Sequence, residues 1–231
     1  MILQTSQTTT LDSILAEPPL VHADGSLIWG LSEDVLRYLD DTLQPGAKTL
    51  ETGAGLSTLL FALKSSEHTC IVPSEQEIER IRAYCLKKDI SLDNVTFIAD
   101  YSQNVVPTLS RADLDLVLID GGHGYPIPAI DWFYTAPMLK TGGVVIVDDV
   151  QIWTGAVLKQ FLALEETWEL AGNFTQSAAY RKVGQDYARE WKYQPYVTQK
   201  SKLPNLITKA QIALTLLSKG EFSKLIQKIK R

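Results

Sequence analysis

Two kinds of apolar run alternate along this chain. The first kind is short and apolar almost throughout: residues 114–119 and 144–147 read as parallel strands buried on both faces, with further strands at 49–51, 69–72 and 95–99. The second kind repeats every three to four residues. Val35, Leu36, Leu39 and Leu43 place a helix over 32–43, capped by Ser32 and ended by Pro45-Gly46. Leu59, Leu60, Phe61 and Leu63 mark a buried helix, and residues 74–89 form another, capped by Ser74. Helices at 127–139 and 156–164 continue the alternation, which predicts a doubly wound, mostly parallel α/β sheet. Past residue 165 the pattern changes. Strand-like runs at 167–171 and 178–183 are joined by Gly172-Asn173-Phe174-Thr175 rather than by a helix, so they predict an antiparallel hairpin at one sheet edge. The first two dozen residues read as an irregular arm, with Pro18-Pro19 favouring extended backbone.

With 231 residues, 45% hydrophobic and 21% charged, the chain suffices for one main domain with appendages. The pattern divides it into an arm over 1–28, the α/β domain over 29–184 and a helical extension over 185–231. Charge singles out the extension. From Lys200 onward eight Lys/Arg face Glu221 alone, a net +7, which leaves −12 on the residues before it. Leu206, Ile207, Ala210, Leu214 and Leu217, then Phe222, Leu225, Ile226 and Ile229, recur at helical spacing on either side of Gly220. Two such amphipathic helices suit packing on the body or on a second subunit, which leaves a homo-oligomer open, or contact with an anionic membrane surface. No apolar stretch approaches the roughly twenty residues that cross a bilayer. Residues 1–10 are polar, without a basic start or an apolar signal core, so a cytoplasmic protein is expected. Cys70 and Cys85 are too few for a disulfide scaffold and fit a reducing compartment; Cys85 shares a helical face with Ile78 and Ile81, as a core thiol would.

Candidate chemistry gathers where the strands end. Leu50-Glu51-Thr52-Gly53-Ala54-Gly55-Leu56-Ser57-Thr58 turns a strand into a helix through two glycines. Such a turn lets a ligand lie against the main chain beside unpaired helix N–H groups. Asp115 to Asp120 is an apolar strand ending in a carboxylate, followed by Gly121-Gly122-His123, and the strand after Gly142-Gly143 ends in Asp148-Asp149. In open parallel sheets ligands bind beyond the carboxyl ends of the strands, where these three carboxylates can converge.

These segments resemble the class I S-adenosylmethionine-dependent methyltransferases, and within them the branch with a strand ending in Ile-Asp-Gly-Gly-His and a later Gly-Gly strand ending in Asp-Asp. The resemblance runs from about Trp29 to about Gly184. It implies a seven-stranded Rossmann-like sheet closed by a hairpin, with S-adenosyl-L-methionine as cofactor. It also implies that Glu51, Gly53, Gly55 and Ser57 surround the methionine half, with Asp120 on the same rim. Where relatives end the second strand in an acid that binds both ribose hydroxyls, this chain has Val72. Ser74 or Glu75 just beyond could reach the ribose, or serve only as helix cap and first-turn acid. Asp100-Tyr101-Ser102 stands where Gly-Asp-Ser is usual, which leaves Asp100 as a candidate near the adenine.

Methyl transfer is a direct displacement, so the site must align donor and acceptor and take a proton from the acceptor. A hydroxyl is a poor nucleophile near neutral pH, and a divalent ion can lower its pKa. Asp120, Asp148 and Asp149 offer hard oxygen ligands suited to Mg²⁺ or a similar ion, or they cap helices and bind backbone. His123, beside Asp120 as the second catalytic candidate, is free to act as general base, as metal ligand or as a surface residue. Tyr125 and Trp153, on loops nearby, could wall an acceptor pocket. A small-molecule hydroxyl is the expected acceptor, and nucleic acid is not expected on an acidic body. A nucleotide (NAD)-dependent oxidoreductase and a catalytically silent scaffold of the same fold are the alternatives.

Overall fold

The computed structural model describes residues 9–21, 30–185 and 189–221. Trp29, most of the arm, and the tail positions Phe222, Leu225, Ile226 and Ile229 lie outside the described residues. The chain divides into two units, residues 1–188 and 189–231.

The first unit runs α1 (Leu11–Ala16), α2 (Glu33–Thr42), β1 (Ala47–Thr52), α3 (Leu56–Lys64), β2 (Ser65–Ile71), α4 (Glu75–Lys88), β3 (Val95–Ile98), α5 (Ser102–Val105), β4 (Leu114–Ile119), α6 (Ile127–Thr135), β5 (Leu139–Val147), α7 (Trp153–Leu162), β6 (Trp168–Asn173) and β7 (Ala178–Lys182). The strands form one seven-stranded sheet in the order β3-β2-β1-β4-β5-β7-β6. Pairing is parallel from β3 through β5, whereas β7 runs antiparallel to both β5 and β6. The predicted fold and edge hairpin are therefore present.

Both faces of the sheet are covered at its centre, which is why residues 116–119 of β4 and 144–147 of β5 are apolar without interruption. Leu114, Val117 and Ile119 of β4 pack with Trp132, Met138, Leu158 and Leu162, while Leu116 and Leu118 pack with Val35, Leu36, Leu39, Leu60 and Phe61. A strand exposed on one side would have alternated with polar residues. Cys85 is buried with Ile78 and Ile81, and burial pushes its thiol up to about 11.

Two local features differ from the sequence reading. Residues 11–16 of the arm form the short helix α1: Thr10 and Ser13 exchange bonds between side chain and backbone N–H at 3.4 and 3.0 Å, and Leu11 and Ile14 are buried. The helix expected over 127–139 stops at Thr135, passes through a 3-10 turn over Ala136–Met138 and becomes strand at Leu139. Pro137 has no N–H to continue the helical ladder and its ring crowds the preceding turn.

In the second unit a 3-10 turn over Trp191–Tyr193 leads into α8 (Pro195–Ser218), a helix of 24 residues that buries none of them and contains Pro204. No helix among the described residues is long and apolar enough to cross a membrane.

Candidate active site

The strand order reverses between β1 and β4, and there the loops leaving the sheet part to open a crevice. Backbone ladders run on past the strand ends and fix its rim. Gly53 donates its N–H to the Ile71 carbonyl at 2.9 Å, Asp120 to that of Thr52 at 3.0 Å, and Asp148 to that of Ile119 at 3.0 Å. Gly53 has φ +90°, and a Cβ there would come within 2.0 Å of the Asp120 carbonyl oxygen. Only glycine lets these two loops lie so close.

The crevice holds a cavity of about 530 Å³, within the range of pockets that enclose small ligands. Gly53 and Ala54 form one edge; Ile71, Val72 and Pro73 form an apolar wall; Tyr101, Ser102 and Gln103 stand at the start of α5; and Asp120, Gly121, Gly122 and His123 complete the rim with Ile127. Glu77, from the first turn of α4, joins the wall that Val72 forms. One side of the cavity is thus apolar, while Ser102 and Gln103 bring polar groups to another.

Of the residues singled out by sequence, Gly53, Asp120 and His123 face this cavity. Glu51 lies beneath it, fully buried. Its Oε2 accepts from Ser57 Oγ at 2.7 Å, its Oε1 accepts from the Thr58 hydroxyl, and the His68 ring lies 3.1 Å away. This network clamps the glycine turn from below, and Cys70 reaches the Gly53 carbonyl at 3.4 Å. Gly55 caps α3, its N–H bonded to Thr58 Oγ1 at 3.1 Å. Ser74 caps α4 by accepting from the Glu77 N–H at 3.2 Å, and Glu75 is exposed in that first turn. Asp100 accepts from the Tyr101 N–H at 2.6 Å and from Asn104 at 2.9 Å, which ties it to α5.

A second cluster sits at the mouth. Asp120, His123 and Asp149 offer donor atoms that all lie within 4.8 Å of one another. His123 Nε2 is 2.9 Å from Asp149 Oδ2, the His123 carbonyl accepts from Thr154 Oγ1 at 2.7 Å, and Gln151 donates to the other oxygen of Asp149. The imidazole is thus oriented by a carboxylate while remaining partly exposed. Asp149 adopts φ +50°, and Gly155 permits this turn, since a Cβ there would lie 2.5 Å from the Asp149 carbonyl oxygen. Asp148 points inward, accepting from the Ser177 hydroxyl. Burial, then the neighbouring carboxylates of Asp148, Asp149 and Glu51, push the Asp120 carboxyl well above the usual range. Burial likewise raises Asp148, with Ser177 opposing it. Two close carboxylates of this kind share a proton unless a cation replaces it. Tyr125 and Trp153 are exposed beside this mouth, their rings 6.0 Å apart.

Glu77 and Gln103 escaped the sequence reading, and Ser102 entered it only as part of Asp100-Tyr101-Ser102, without a role. The only signal for Gln103 is its place shortly after the end of β3. Glu77 has none, since its approach depends on the angle at which α4 leaves β2.

A family model described as a methyltransferase domain matches residues 50–150. No curated protein matches the chain in sequence. Among solved structures, TomG, an O-methyltransferase from Streptomyces achromogenes involved in tomaymycin synthesis and solved with SAM, is 17% identical. The alignment covers 78% of this chain and 93% of that one, at a TM-score of 0.59. Cofactor-bound Rv0187 from MTB is 17% identical over 68% of this chain and 83% of its own, with a TM-score of 0.58. An rRNA methylase from Streptococcus thermophilus is 16% identical over 69% of this chain and 100% of its own, with a TM-score of 0.53. At such identities the likeness is one of fold.

Proposed function

We propose that this chain, whose residues 50–150 match a methyltransferase domain, is a class I S-adenosylmethionine-dependent methyltransferase that methylates a hydroxyl of a small molecule, with S-adenosylmethionine as donor and His123 as general base. The observation that carries the reading is the His123–Asp149 pair, 2.9 Å apart, at the mouth of a cavity of about 530 Å³. Bound there, S-adenosylmethionine supplies the methyl group as a sulfonium. Val72 and Ile71 would give the adenine an apolar wall, Ser102 and Gln103 would meet its edge, and the glycine turn would admit the methionine half beside Asp120. Glu77, which lines the same cavity, would accept from the ribose hydroxyls that Val72 cannot serve. His123 accepts the proton of the acceptor hydroxyl as it attacks, and Asp149 holds the ring in place and stabilises the imidazolium. A small acceptor suits the acidic body, which would repel a polynucleotide.

The donor set at the mouth also fits a hard divalent cation, which gives a second reading of the same residues. Asp120, Asp149 and His123 would hold Mg²⁺ or a similar ion, with Asp148 behind Asp120, and the ion would acidify the acceptor hydroxyl. One experiment separates the readings. Turnover of a panel of small hydroxyl acceptors is followed with and without EDTA, in the parent and in His123→Ala. Loss of about 10²- to 10⁴-fold in His123→Ala with the parent indifferent to EDTA supports the base, loss with EDTA in the parent supports the ion, and full activity in both conditions removes His123 and the metal together.

A further inference from the structure

Residues 189–221 belong to a unit separate from the methyltransferase domain, and their surface is unusual for a helix in water. Leu203, Leu206, Ile207, Ala210, Leu214 and Leu217 of α8 are all exposed. At about 100° per residue they fall within an arc of roughly 100°, so they form one continuous apolar stripe. Lys200, Lys202 and Lys209 flank it, and no acid occurs between Pro195 and Ser218. Aromatic residues collect at the start of the unit: Trp191 and Tyr193 are largely exposed, Lys192 sits 4.9 Å over the Tyr193 ring, and Lys200 sits 5.5 Å over that of Tyr196.

We infer that this unit is an anchor whose α8 lies flat on an anionic lipid surface. Each part of the pattern has a job there. The leucine stripe enters the boundary between headgroups and acyl chains, the flanking lysines reach back to lipid phosphates, and Trp191 and Tyr193 suit the polar–apolar boundary. Charge favours lipid over a second copy of the helix. Two such helices pairing through their stripes would bring lysine against lysine with no carboxylate to offset them, whereas an anionic leaflet supplies the missing charge. The sequence beyond Ser218 adds five more basic residues against Glu221. A methyltransferase so placed would work beside the membrane, on an acceptor that partitions there.

Vesicle flotation of the full chain tests this. The chain is expected to float with vesicles of phosphatidylcholine containing about one-third phosphatidylglycerol, and to stay behind with phosphatidylcholine alone. Salt at about 0.5 M should release it. Leu206→Asp with Leu214→Asp, and separately Lys202→Glu with Lys209→Glu, should each lower the bound fraction about tenfold while keeping the parent's melting temperature. The anchor is overturned by failure to float with the anionic vesicles, or by flotation that both pairs of substitutions leave intact. A parent dimer that the leucine substitutions split, with no flotation, assigns the stripe to a second copy instead.

Discussion

Asp131 of α6 is fully buried under the cavity, where burial raises its carboxyl to about 6 while the hydroxyls of Ser102 and Thr52 draw it partly back. Its folded state therefore holds the proton more tightly than the unfolded chain, whose ordinary value is 3.8. The resulting stability is complete below about pH 4 and is lost as the pH rises through about 6, up to about 3 kcal/mol in all. Asp131→Asn should keep the low-pH stability and lose the decline, so its melting temperature gains on the parent between about pH 5 and 7. Parallel melting curves across that range would contradict the account. Glu77 makes a separate case at the same scale. If its carboxylate receives the ribose hydroxyls, Glu77→Gln should weaken S-adenosylhomocysteine binding about tenfold by calorimetry. A 2′,3′-dideoxy analogue should bind parent and variant alike, because the bonds at issue are then missing from both complexes.

Elements are held in register here by a few buried polar ties across them. Lys182, the last residue of β7, is 1% exposed and donates Nζ to the carbonyls of Ala136 at 2.8 Å and Leu139 at 2.6 Å. These carbonyls belong to the turn where Pro137 ends the helix, so the hairpin edge secures the passage from α6 into β5 and, through it, the segment ending in Asp148-Asp149. Lys182→Ala leaves both carbonyls without that donor in a dry site. Urea unfolding should show a loss of about 2–4 kcal/mol, larger than that of an exposed lysine substitution. Most elements could be read from the sequence, and β4 shows why. Burial on both faces makes residues 116–119 apolar throughout, a pattern set by the strand's own period. α5 could not be read. Four residues, Ser102–Val105, are too few to display a helical period, and the helix persists because the Asp100 carboxylate bonds the Tyr101 N–H and Asn104 at its start.

For the whole molecule the methyltransferase reading makes a direct demand. S-adenosylhomocysteine at about a hundred times its dissociation constant should stabilise the fold by about 2.7 kcal/mol, whereas NAD at the same concentration should leave the melting temperature unchanged. A shift with NAD alone would return the crevice to the oxidoreductases. The residues of the site were legible as candidates because a strand that ends in a carboxylate or a glycine turn is a local event, written in a few consecutive letters. Their division of labour was not. Glu51 looked like a cofactor contact, yet His68, seventeen positions away, and the Ser57 and Thr58 hydroxyls occupy its oxygens. His123 gained a partner in Asp149 only because β4 and β5 lie side by side. The sequence by itself determined the alternation of strands and helices and the chemistry at the strand ends, since both follow from local periodicity and burial. The tertiary structure alone decided which of those groups face the cavity and which are locked beneath it, because that depends on strand order, and strand order is set by contacts between residues far apart in the chain.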